Sequence, residues 1–272
     1  MTRIFLRSFV QTVGLPQGSF EILLVDDCSR ESAEMFVKEF SVLPIRYLRN
    51  DENCGFGESN NRGASEANGE FLILLNNDLK LKPGWLEPML GVFDNAEHRA
   101  GAVGNIQINT RTRLIDHAGV AFGSDGVPFH ARKNRLMYPK GNIAEWPAVT
   151  AACMLIRRTV FWEVGGFDTA YRNGSEDIDL CMRLRVAGYH NYVSNSSRVY
   201  HHISSSPGRH EFNEQNLEIF MGRWRREGEA LGSEMWPREY LFRYARHWWK
   251  LSPIKFFQAC VLLCFRRTKL GS

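Results

Sequence analysis

No run of residues in this chain comes near the roughly 20 consecutive apolar positions that a membrane-spanning helix requires. A helical integral membrane protein is therefore not expected. Residues 1–10 hold two arginines among apolar side chains, but no long apolar core and no small-residue cleavage site, so they do not read as a secretory signal. The six cysteines, Cys28, Cys54, Cys153, Cys181, Cys260 and Cys264, lack any CxxC spacing. That argues against a zinc site or a disulfide framework, and for reduced thiols in the cytoplasm. A basic stripe is missing from residues 1–200 and the net charge is only +4, so nucleic acid is not an expected partner. Internal repeats and low-complexity segments are absent too. What is present is ordinary globular usage over 272 residues, 44% hydrophobic and 24% charged, enough for one elaborated α/β domain.

Short apolar runs alternate with helical patterns. Residues 20–25 form a branched-rich run ending in Asp26-Asp27, with Ser29 as a candidate helix cap before a helix over 31–40. Residues 45–48 read as a second strand, 53–56 as a turn and 58–68 as a helix that Gly69 could close in the left-handed conformation. The run 71–75 is the most strand-like and stops at Asn76-Asn77-Asp78, after which Pro83 is placed in the first turn of a helix reaching residue 93. Units of this length imply a mostly parallel, doubly wound sheet, whose ligands bind beyond the carboxyl ends of the strands. The stretch 101–150 is looser, with strand-like pieces at 102–108 and 119–122, and reads as the acceptor half of the same domain.

Taken singly, the acidic motifs have plain structural readings. Asp26-Asp27 serves as well for a turn and helix entry, and the same run also opens receiver domains of two-component signalling. That rival leaves some 150 residues unexplained. Glu176 and Asp177, after Gly174-Ser175, could merely favour the positive end of a helix that Gly188 would close, an effect of about 0.3 to 1 kcal/mol. The ordered set is far more specific: Asp26-Asp27, Asn53-Cys54-Gly55-Phe56, Asn76-Asn77-Asp78, Val164-Gly165-Gly166-Phe167-Asp168, Glu176-Asp177, Val199-Tyr200-His201-His202.

Across residues 4–225 this series resembles the family 2 glycosyltransferases, inverting enzymes of the GT-A fold, and in particular their rhamnosyltransferase-like bacterial branch. The resemblance implies that Asp26 and Asp27 face the base and ribose of a nucleotide-sugar donor, with Gly55, Phe56 and Asn76 beside it. Asp78 would hold a divalent cation, Mg²⁺ or Mn²⁺, that bridges the diphosphate, with His201 or His202 completing its site. Asp177 would be the general base, and Glu176 would position the acceptor or support that base. The residue types suit the chemistry: hard oxygen ligands hold a Lewis acid against a leaving diphosphate, and a carboxylate takes the proton of the attacking hydroxyl. A single displacement inverts the anomeric carbon without a nucleophilic side chain.

Two departures stand out. Where many members place two acids around the metal, this chain has one, so metal binding is expected to depend on the bound nucleotide. Members also begin with a strand and a Pro-x-Tyr-Asn-like turn, whereas residues 4–13 here read as the end of the following helix. The expectation is thus a truncated or misassigned start and a poorly active chain, with a catalytically inert remnant that binds nucleotide or glycan as the alternative function. The domain reading is residues 1–211 for the glycosyltransferase and 212–272 for a helical extension. That extension combines Trp224, Trp236, Trp248, Trp249, Phe256, Phe257 and Phe265 with Arg266, Arg267 and Lys269. It suits either a helix lying in the inner membrane interface beside a lipid-linked or glycan acceptor, or helices packed on the catalytic domain.

Overall fold

The computed structural model describes residues 1–16, 18–202, 211–244 and 252–269. The chain opens with α1 (Thr2–Thr12), then β1 (Ile22–Asp26), α2 (Glu34–Glu39), β2 (Ile45–Arg49), α3 (Phe56–Glu66) and β3 (Phe71–Leu75). A short β4 (Leu79–Lys80) and α4 (Glu87–Leu90) lead to the ten-residue β5 (Ala100–Asn109). Short strands β6 (Ile115–His117), β7 (Val120–Phe122), β8 (Pro128–His130) and β9 (Ile143–Trp146) fill the loop-rich middle. The last elements are β10 (Cys153–Arg157), α5 (Arg158–Glu163), α6 (Glu176–Val186), β11 (His190–His201), α7 (Asn213–Tyr244) and α8 (Pro253–Lys269).

The expected α/β architecture is present, but among the described residues parallel pairing is confined to β1 with β2 and β5 with β11. The larger sheet runs β3-β10-β5-β11-β4, and the β3–β10, β10–β5 and β11–β4 ladders are antiparallel. The sheet is therefore mixed rather than mostly parallel, because β10 enters in reverse between two strands that run the same way. Two antiparallel steps leave β3 and β5 parallel to each other, and β11 parallel to both. Their carboxyl ends share one edge, as strand alternation had suggested. Among the described residues β1 pairs with β2 alone and β3 with β10 alone, so no ladder joins β1 to β3.

Alternation along the strands divides the interior into two layers. From β10, Met154 and Ile156 enter one cluster with Leu72, Leu74, Ile106, Phe161 and Leu180. Cys153 and Leu155, one residue out of phase, enter the other with Phe5, Leu6, Phe9, Leu79, Trp85 and Met89. Helix α1 thus belongs to the core through Leu6, and its Ser8 Oγ accepts the Leu81 N–H at 3.0 Å.

Three local expectations are corrected. The helix from Pro83 shrinks to α4, since Gly84 adopts φ +70, a conformation that cannot continue a right-handed helix. Helix α3 ends at Glu66 with Ala67 extended, so Gly69 is not its left-handed closure. Ser29 caps no helix: α2 starts later, and the Ser29 N–H donates to Asp26. Helix α6 ends before Gly188, which adopts φ +82 as expected.

Helix α7 packs Phe220 against Phe122 of β7, and α8 packs Ala259 and Leu262 against Trp236 and Tyr240 of α7. Ile254 and Phe257 of α8 remain 80% and 70% exposed. Trp248 and Trp249 lie outside the described residues, as do the side chains of Phe265, Arg266, Arg267 and Lys269. No helix among the described residues is long and apolar enough to cross a membrane.

Candidate active site

Strand β1 delivers two acids with different tasks. The Asp26 carboxylate is 4% exposed and accepts from the Ser29 and Ala33 N–H groups, from the Tyr47 hydroxyl at 2.6 Å and from the Arg49 guanidinium at 2.6 Å. Burial alone would raise its pKa, but these donors hold it well below the ordinary carboxylate range. Asp26 was expected to face the base or ribose; in this structure its oxygens brace the β1–α2 loop. Asp27 braces the neighbouring turn, taking the Cys54 N–H on one oxygen at 2.8 Å and the Gly55 N–H on the other at 2.9 Å. Gly55 sits at φ +86 and ψ 177, a region open to glycine alone, so the residue type follows from the turn. Phe56 starts α3, stacks edge-on with Phe167, and donates its N–H to Asn173 Oδ1 at 3.0 Å. Residues far apart in the chain thereby bring the 53–56 turn against the loop that leads into α6.

Asp78 follows β3 and is 6% exposed. His201 ends β11, where it pairs with Leu79, and its Nε2 lies 3.3 Å from Asp78 Oδ1. The other ring nitrogen, Nδ1, lies 3.0 Å from Asp116 Oδ2 of β6, and the second Asp116 oxygen is 3.5 Å from Lys133 Nζ. Burial would lower the His201 pKa, yet the two flanking carboxylates raise it to about 9. Asp116 moves the opposite way: burial would raise it, but His201 and Lys133 bring it to about 2. His202 is turned elsewhere, its Nδ1 3.1 Å from Thr110 Oγ1, while its N–H donates to the Asp78 carbonyl.

Glu176 and Asp177 open α6. Both Glu176 oxygens are buried without a hydrogen bond, and burial followed by the adjacent Asp177 charge pushes this carboxyl up to about 7. Asp177 is half-buried and accepts the Ala151 N–H on Oδ2 at 3.0 Å. The segment containing Ala151 ties the parts together. The Ala152 carbonyl accepts the Asn76 N–H, and the Thr150 N–H points at His117 Nε2 at 3.4 Å, beside Asp116. His117 Nε2 also faces the Gly119 N–H, and complete burial keeps this ring neutral. The six-residue stretch between β9 and β10 thus links the carboxyl end of β3, the first turn of α6 and the surroundings of His201.

The donor set near Asp78 fits a divalent cation. A buried carboxylate supplies hard oxygen, and His201 Nε2 lies 3.3 Å from it as a nitrogen donor. Among the described residues no group of three or more His, Cys, Asp or Glu gathers as a complete cage, which leaves the remaining ligand positions to water and phosphate oxygens. Sequence reasoning missed Asp116, Asn173 and the segment around Ala151. Their residue types carry no motif, and only the fold brings them to this edge.

Residues 3–165 match Glycosyl transferase family 2. The chain belongs to that family. It is 32% identical over 196 residues to the O-antigen biosynthesis protein RfbC of Myxococcus xanthus, covering 69% of this chain but only 15% of that protein. It is 27% identical over 190 residues, 61% of each chain, to the N-acetylglucosaminyl-diphospho-decaprenol L-rhamnosyltransferase of Mycobacterium tuberculosis. The GalNAc-T7 crystal structure with UDP, GalNAc and Mn²⁺ superposes with a TM-score of 0.62 at 19% identity, covering 81% of this chain and 46% of that one. At that identity the likeness establishes the GT-A fold. The chain spans only part of the length of these relatives, 15% of the RfbC protein and 61% of the rhamnosyltransferase.

Proposed function

We propose that this glycosyltransferase moves a sugar from a nucleotide-sugar donor to a glycan or lipid-linked acceptor, with inversion, in the assembly of a cell-surface polysaccharide. The observation that carries the reading is that the segment around Ala151 touches Asp177, the end of β3 beside Asp78 and His117 next to Asp116, while Asn173 holds the 53–56 turn against the loop that leads into α6. The nucleotide lies along the 53–56 turn, with Asp27, Gly55 and Phe56 shaping the loop and Asn76 beside it. Asp78 and His201 hold the cation, Mg²⁺ or Mn²⁺, which when bound neutralises charge on the leaving diphosphate. Asp177 accepts the proton of the acceptor hydroxyl as its oxygen bonds to the anomeric carbon and the bond to the diphosphate breaks. The Ala151 N–H fixes that carboxylate's orientation, and Glu176 completes the acceptor side. The relatives named above support the polysaccharide setting and the lipid-linked acceptor. The reaction then runs in the cytoplasm, at the inner face of the plasma membrane, to which the chain binds peripherally.

Asp177→Asn tests the role of the base. Turnover with a panel of nucleotide sugars should fall by about 10² to 10⁴, while nucleoside diphosphate affinity stays within a factor of two or so. Unchanged turnover would remove Asp177 from the chemistry.

A further inference from the structure

We propose that Asp116 is a positioning residue for the cation site: it fixes the His201 ring through Nδ1 and so commits Nε2 to the cation that Asp78 holds. This inference rests on the metal reading above. Three elements meet here, with Asp116 on β6, His201 at the end of β11 and Asp78 between β3 and β4. The Asp116 side chain is 6% exposed and that of His201 is 7% exposed, so neither is free to turn into solvent. An ionised carboxylate only accepts, and therefore the 3.0 Å contact from Asp116 Oδ2 requires the proton on Nδ1. In the neutral ring the lone pair is then on Nε2, which is the nitrogen facing Asp78. A carboxylate behind a ligating imidazole also raises the ring's basicity toward a metal.

The same reasoning separates the two adjacent histidines. His202 faces Thr110, whose hydroxyl can donate or accept, so this contact does not fix its tautomer. Successive residues at a strand end project to opposite faces, which takes the His202 ring away from the side where His201 meets Asp78. Asp116 has a further partner in Lys133, whose Nζ lies 3.5 Å from its other oxygen.

The test is Mn²⁺ binding by the full chain, followed through water proton relaxation with Mn²⁺ alone and in the presence of UDP or GDP. Asp116→Ala should weaken Mn²⁺ binding by about 10- to 100-fold, and Asp116→Asn, which still offers an oxygen to Nδ1, by less. Affinity for UDP and GDP in EDTA should be unchanged in both variants, which shows that the fold and nucleotide loop persist. His202→Ala should keep wild-type Mn²⁺ affinity, and His201→Ala should lose it. If a folded Asp116 variant binds Mn²⁺ as the wild type does while His201→Ala does not, the positioning role is wrong and the cation site stands. If the wild-type chain binds no Mn²⁺ with either nucleotide, both fall together.

Discussion

Glu176 is the residue whose environment is least comfortable. Burial of a carboxyl that is 2% exposed penalises its charge, and Asp177 beside it adds repulsion. Its pKa is near 7 in the folded chain against an ordinary value of 4.5. The native state therefore holds a proton between those limits that the unfolded chain releases. Stability from this group is complete below about pH 4.5 and is lost as pH rises through about 7, a change of about 3 kcal/mol at most. Urea unfolding at pH 5 and pH 8 should show that loss in the wild type, and Glu176→Gln should flatten it. An equally steep dependence in the variant would assign the loss to other groups.

At the scale of elements, α6 is held from both ends of its first two turns. Asp177 reaches back to the Ala151 N–H, and Asp179, fully buried, accepts from Arg183 at 2.7 Å, Trp224 Nε1 at 2.8 Å and Tyr171 at 3.2 Å. Trp224 belongs to α7, so this one carboxylate fastens the long carboxyl-terminal helix to the helix that carries the proposed base. Asp179→Ala strands an Arg and an indole N–H in the interior and should cost about 3 kcal/mol in chemical denaturation, with turnover falling as α6 loosens. A loss under about 1 kcal/mol would mean that packing of Phe220 and Trp224 alone seats α7. These elements were legible in the sequence where one signal dominated. The run 71–75 could only be a strand, and Gly188 closed α6 as its position implied. The helix from Pro83 failed because Gly84 outweighed proline's suitability for a first turn. Asp179 looked like one more acid on a charged helix, since nothing local announces a partner 45 residues away.

The whole molecule makes the same distinction. The position of Asp78 just past the carboxyl end of β3 was readable, because α/β alternation places such residues where ligands bind. The direction of β10 was not, since reversal depends on how the irregular 110–150 stretch returns to the sheet. Composition at the other end of the chain adds a polarity to the molecule: from Tyr240 onward there is no Asp or Glu, while Arg and Lys recur to residue 269. On that same end α8 leaves Ile254 and Phe257 uncovered, and Phe242 of α7 is 60% exposed. Apolar side chains that dip into a lipid interface and cations that meet anionic headgroups act together, each basic group near such a surface contributing about 1 kcal/mol. The full chain should therefore sediment with vesicles rich in phosphatidylglycerol, bind purely zwitterionic vesicles weakly, and release as salt shortens the range of the attraction. Ile254→Ser with Phe257→Ser should weaken sedimentation at low salt without changing nucleotide binding, because both side chains face away from the α7 contact made by Ala259 and Leu262. Wild-type protein that stays in the supernatant with anionic vesicles at low salt would leave α8 as a brace for α7 and nothing more.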